Sequence, residues 1–196
     1  MKQVMMSVVL GAALFFTGCG MQSIPTQKNE VDATLAEINN QYKRRMDLIP
    51  NLVNVVQGYA KQEKETLIGV VEARAKATQT TIDPSKTTPE QLAKFQQAQG
   101  QLSSALGRLM VITENYPQLK SDANFRDLQA QLEGTENRIT VARNRYIESI
   151  KGFNNLVGVP PTSWTNSILY HHEKMPQWDV AADEKAKAEK APEVKF

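Results

Sequence analysis

The chain has 196 residues, 41% of them hydrophobic and 22% charged, a balance that suits one globular domain with a core of useful size. Its 23 Lys and Arg stand against 21 Asp and Glu, a net charge of +2 that argues against a nucleic-acid partner held by wholesale electrostatics. One cysteine excludes a disulfide framework or a multi-cysteine metal centre, and two histidines leave little material for zinc or acid–base catalysis.

Residues 1–20 read MKQVMMSVVLGAALFFTGCG: a positive Lys2, a thirteen-residue apolar stretch over 4–16, then small residues before Cys19. That is the layout of an export signal. A helix over the stretch covers only about 20 Å at 1.5 Å per residue, short of the roughly 20 apolar residues that span a bilayer. Phe16-Thr17-Gly18-Cys19 resembles a bacterial lipobox, although Phe16 replaces the usual Leu. The resemblance implies cleavage after residue 18 and a covalent lipid on Cys19, with membrane lipid as the partner of its acyl chains. A signal cleaved without lipidation, or an uncleaved anchor, is the alternative. Two or three chains hold far more firmly than one, at about 0.8 kcal/mol per buried CH₂. Gly20 in place of Asp resembles an outer-membrane destination facing the periplasm, if the cell has two membranes.

Residues 19–28 are expected to be a tether, 29–158 a helical domain, and 159–196 an extended aromatic and charged tail. Val31, Leu35, Ile38, Tyr42, Met46, Ile49, Leu52, Val56 and Tyr59, then Leu67 and Val70, recur at three- and four-residue spacing and mark one buried helix face. Pro50 interrupts this stripe. One bent helix or two helices divided near Asp47 would both explain it, and the division is preferred because it gives four segments of comparable length. Residues 79–88 form a loop with a turn at Asp83-Pro84. Thr88-Pro89-Glu90-Gln91 then predicts a capped helix start. That helix carries Leu92, Phe95, Leu102, Leu106 and Leu109, and Pro117 is expected to end it. A last helix covers about 121–158, stopped by Gly158 and Pro160-Pro161. No segment alternates as a strand. The expected fold is all-α, an antiparallel up-and-down four-helix bundle of long helices in the manner of a coiled coil.

KRRMDLIPNL at 43–52, Gly58-Tyr59-Ala60, Glu63-Lys64-Glu65-Thr66-Leu67, Glu72-Ala73-Arg74-Ala75-Lys76-Ala77, Tyr116-Pro117, Glu136-Asn137-Arg138-Ile139 and Ala142-Arg143 together resemble the LemA family, as does the closing APEVKF. The resemblance covers about 30–157 and the extreme C-terminus, and the sequence drifts from the family pattern after Phe153. It implies a helical-bundle domain at the bacterial envelope, here of a lipoprotein type where members usually carry a membrane-spanning helix. It brings no settled enzymatic activity. Associations with membrane metalloproteases and magnetosome membranes belong to the family.

Arg44, Arg45 and Asp47 crowd beside Pro50 and offer either a docking surface for an acidic partner or local ion pairs and a helix cap. Glu136 falls near an apolar face, flanked by Asn137 and Arg138 with Arg143 further on. A buried carboxylate there requires a partner, and Arg44 or Arg45 is the candidate. Trp164, Tyr170 and Trp178 could lie over the end of the domain or form an interfacial segment. His171-His172-Glu173 lacks the spacing of a zinc site, so no metal and no cofactor beyond the lipid is expected. The functional expectation is a non-enzymatic scaffold with an unidentified envelope protein as partner. A membrane-remodelling coat formed as a homo-oligomer is the alternative, and a hydrolase is the remote one.

Overall fold

A computed structural model describes residues 21–176 and 178. The expected signal segment 1–18, the expected lipidation site Cys19, Gly20, residue 177 and residues 179–196 lie outside the described residues. Helix α1 is Ser23–Tyr59, α2 Lys64–Gln79, α3 Pro89–Thr113, α4 Pro117–Ser121, α5 Ala123–Gly158 and α6 Thr162–Thr165, followed by a π-helical turn over Asn166–Tyr170. The fold is all-α, with no strand among the described residues. None of these helices is long and apolar enough to cross a membrane.

Two compact units divide the chain. The central unit comprises Glu37–Ala142, and the terminal unit combines residues 21–36 with Arg143–Trp178. In the central unit the spaced apolar residues of five helices meet in one core: Ile49, Leu52 and Val56 of α1, Leu67 and Val70 of α2, Leu102 and Leu109 of α3, Leu119 of α4 and Phe125 of α5. Pairwise contacts fix the directions. Asn39 reaches the Ile82 carbonyl and Met46 meets Arg74, so α1 and α2 are antiparallel. Tyr116, after α3, donates to Glu63 before α2, and Arg45–Glu136 and Tyr59–Asp122 set α5 against α1.

Pro50 does not divide α1. The helix runs through it, and the chain turns instead at Ala60–Glu63, where the Glu63 N–H reaches the Ala60 carbonyl at 3.1 Å. Proline has no N–H, so the Met46 carbonyl four residues earlier loses its ladder partner. Arg74 of α2 replaces it, its Nε donating to that carbonyl at 2.9 Å. The undivided helix has 37 residues and reaches about 55 Å, close to the 36 residues of α5. Asp47, expected as a cap, therefore sits exposed inside a helix. Tyr59, expected on the buried stripe, is exposed, and Ala60 takes the buried place.

Other boundaries follow their sequence signals closely. Thr88 accepts from the Gln91 amide while Gln91 Oε1 accepts from the Thr88 amide, and Pro89 opens α3. Asp83 folds the preceding loop by accepting from the Ser85 amide and hydroxyl. Pro117 begins α4 rather than ending α3, which stops at Thr113. Asp122 caps α5 by accepting from the Phe125 amide at 3.0 Å.

In the terminal unit α1 starts at Ser23, so most of the expected tether is helical and Ile24 is fully buried. Ile24, Val31 and Leu35 are buried here, as are Tyr146, Ile150 and Phe153 of α5. Thr34 and Ser149 pair their buried hydroxyls at 2.9 Å, and Gln27 donates to the Ser149 carbonyl. Gly152 leaves room for this approach, since a Cβ there would stand 3.0 Å from Gln27 Nε2. The expected extended tail is helical over residues 162–170.

Candidate functional site

The charged residues singled out in α1 and α5 separate into inward and outward sets. Arg45 is 7% exposed and takes Glu136, with Nη1 and Oε2 2.9 Å apart. The contact is ionic rather than a well-aligned hydrogen bond: neither of these buried atoms gains a hydrogen-bond partner. Of the two arginines weighed for Glu136, Arg45 is the one that meets it. Arg44, Asp47, Asn137 and Arg138 are exposed. Other inward polar atoms lack hydrogen-bond partners among the described residues: the amide oxygen and nitrogen of Gln99 on α3, 2% exposed, and Oε1 of Gln41 on α1.

A groove of about 330 Å³ opens between α1, the end of α2 and the following loop. Tyr42, Ile82 and Phe95 form its apolar walls, the two aromatic rings meeting edge to face at 5.2 Å. Lys43, Asp47 and Arg74 supply charge at its lining, and the Arg74 Nε bond to the Met46 carbonyl fixes one side of that guanidinium. The groove thus combines an apolar interior with charge of both signs, on the stretch of α1 that carries the KRRMDLIPNL motif.

In the terminal unit two asparagines hold the chain after α6. Asn154 donates to the Met175 carbonyl at 2.9 Å and accepts from its amide at 2.8 Å. Asn166 makes the same double contact with His172, at 2.9 and 3.0 Å. Tyr170 donates its hydroxyl to the Met21 carbonyl at 2.6 Å. His171 closes the π turn with its amide on the Asn166 carbonyl and a positive φ of 54°, a region that histidine enters more readily than most side chains. His172 stacks on Tyr170 and leans on Phe153. The adjacent histidines therefore have separate surroundings, and no three His, Cys, Asp or Glu side chains converge among the described residues.

Trp178 and Trp164, grouped together by composition, differ in place. Trp178 packs edge to face on Tyr146 at 5.9 Å, with the Arg143 guanidinium 5.7 Å from its ring centre. Trp164 is 59% exposed. Burial, helped by the nearby Asp32 charge, pushes the Tyr146 phenol up to about 12. In the central unit, the Phe125 amide and the Tyr59 hydroxyl hold the Asp122 carboxyl below the ordinary carboxylate value.

Arg74, Asn154 and Asn166 carry roles that spacing did not assign. Arg74 stood in a quoted motif, yet its partner is a backbone carbonyl 28 residues away. Asn154 is a polar residue that prefers turns set late in an apolar-striped helix, whereas Asn166 lies beyond that helix in the π turn and has no such pattern around it.

The chain matches the model of the LemA family over residues 34–196, including the stretch after Phe153 that departs from the motif pattern. It is similar to Protein LemA of Metamycoplasma hominis, 27% identical over 154 residues, an alignment covering 79% of this chain. The chain spans 64% of that relative's length. It is also similar to the magnetosome protein MamQ of Magnetospirillum gryphiswaldense, 25% identical over 198 residues, covering 88% of this chain and 73% of the relative. With the greater part of its length, including the inward-facing Arg45 and Arg74, inside the family match, this chain belongs to the LemA family.

Proposed function

We propose that this protein is a lipid-anchored component of the bacterial envelope whose helical domain, an antiparallel up-and-down four-helix bundle, works as a non-enzymatic scaffold. The observation that carries the reading is the division of the charged motif. Arg45 and Arg74 turn inward to hold helices together, while Arg44, Asp47 and Lys43 remain on the surface of α1 beside the groove. A stretch of α1 that sets surface charge beside a partly apolar groove suits capture of a partner protein. The anchor is a lipid on Cys19, placed at the outer membrane facing the periplasm in a two-membrane cell, and the protein uses no other cofactor.

A second reading, an oligomeric coat that remodels membrane, is favoured by Ile68 and Val71. They lie one turn apart on α2 and are both more than half exposed. Mass spectrometry of the mature protein tests the anchor: an acylated N-terminus at Cys19 supports it, and an intact Met1 contradicts it. Photo-crosslinking from position 44 in intact cells tests the scaffold, which predicts heterologous adducts that disappear when Asp47 and Lys43 are also substituted. Purified lipidated protein that tubulates vesicles by itself, with adducts only to its own copies, would replace the scaffold with the coat.

A further inference from the structure

Five of the large apolar side chains that stand more than half exposed fall within two stretches of the terminal unit: Met21 at 52%, and Val159, Trp164, Ile168 and Leu169 at 54%, 59%, 73% and 52%. Scattered exposed apolar residues require no explanation, but four within residues 159–169 do. The segment is built for display. A π turn closes with an i→i+5 bond from the His171 amide to the Asn166 carbonyl at 2.7 Å. Widening the turn in this way brings residues four and five apart onto a common side, so Trp164, Ile168 and Leu169 share a face. Buried Asn166 and the stacked Tyr170–His172 pair supply the opposite, inward side.

What lies against this face follows from the chain's own connectivity. Tyr170 is bonded to the Met21 carbonyl, which fixes the segment at the point where the chain enters from residues 1–20. Met21 is two residues from Cys19 and five from the end of the apolar stretch 4–16. Two residues reach about 7 Å when fully extended. An anchor at Cys19 therefore brings the face to within the thickness of a headgroup layer. Indole favours that layer, and large aliphatic side chains bury at its boundary with the acyl chains. Cations do not dominate the segment, where Lys174 is offset by Glu173.

We propose that Trp164, Ile168 and Leu169 form a second membrane contact that inserts into the bilayer interface by apolar burial and holds the domain at a set angle to the surface. The inference rests on the anchoring reading above, and the experiment separates the two. Full-length lipidated protein carrying Trp178→Phe, in which Trp164 is the only remaining indole, is reconstituted in phosphatidylcholine vesicles with a nitroxide high on the acyl chain. Flotation reports the anchor, and quenching of Trp164 reports insertion. The expected result is quenching by the lipid-bound nitroxide, protection from aqueous iodide, and little change when salt is raised or anionic lipid is added. Adding Ile168→Ser and Leu169→Ser lowers the ratio of lipid to aqueous quenching by roughly tenfold or more. The reciprocal Trp164→Phe protein, reporting Trp178 against Tyr146, stays unquenched by lipid. Protein that floats while Trp164 is quenched by iodide alone overturns the insertion and leaves the anchor standing. Trp164 shielded from both quenchers assigns the face to another copy of the chain and also overturns it. Protein that fails to float overturns both.

Discussion

The central and terminal units are held by different kinds of contact. In Glu37–Ala142 the decisive contacts are apolar side chains spaced to share a seam, with one ion pair and one arginine-to-backbone bond set into it. In the terminal unit a helix pair also buries Val31, Leu35 and Phe153, but the segment after α6 is kept in place by Asn154, Asn166 and Tyr170 gripping main-chain groups. Apolar burial is collective and loses strength as a whole. Directional bonds to a few main-chain atoms can open one at a time.

The largest contrast comes from truncating each kind of contact. Phe125→Ala in the central core is expected to cost about 3–5 kcal/mol of unfolding free energy in a denaturant titration. Asn154→Ala is expected to leave the main transition within about 1 kcal/mol and to loosen the tail alone, as seen by proteolysis after residue 170. The next effect concerns the ion pair. Glu136→Gln strands the buried Arg45 charge, and because the Glu136 side chain is 46% exposed the loss is discounted to about 1–2 kcal/mol. Arg45→Met removes the charge together with its need and is expected to be near neutral, a reversal of the usual severity that thermal melts of the two variants would display.

A smaller effect tests the proline. Arg74→Ala leaves the Met46 carbonyl without a donor and is expected to cost about 1 kcal/mol. In a Pro50→Ala background the new amide can take that carbonyl, so the cost is expected to vanish. A double-mutant cycle with a coupling of about 1 kcal/mol would express this. The least effect at neutral pH is that of Tyr146. Its folded value is raised from 10.0 to about 12, so its contribution is complete below the ordinary value and declines as pH rises between the two. Stability measured from pH 10 to 12 should fall more steeply in the wild type than in Tyr146→Phe.

Sequence periodicity exposed what burial decides and missed what single bonds decide. The buried residues of α3 and α5, the Thr88–Gln91 capping box and the Asp83 turn all follow from local spacing or local hydrogen bonding. Pro50 was misleading because the rule against an interior proline concerns an orphaned carbonyl, and the donor that satisfies it comes from another helix. The division expected near Asp47 falls instead at Ala60–Glu63. Glu136 was legible as a carboxylate needing a cation, and its position alone pointed to Arg44 or Arg45. Which arginine turns inward is fixed by the register of two helices, seen only when Arg45 and Glu136 are side by side. The fixings at Asn154 and Asn166 carry no periodic signal, so the tail reads as extended although residues 162–170 are helical.

Residue-resolved amide hydrogen exchange tests the contrast between the two regions most directly. The account predicts that amides of α1 beside the central core, around Leu52 and Val56, open only with global unfolding, and that His172 and Met175 exchange through a separate, cheaper opening. Asn154→Ala should then speed Met175 exchange by roughly tenfold while leaving Leu52 untouched. A single opening free energy shared by Met175 and Leu52, unchanged by Asn154→Ala, would contradict it.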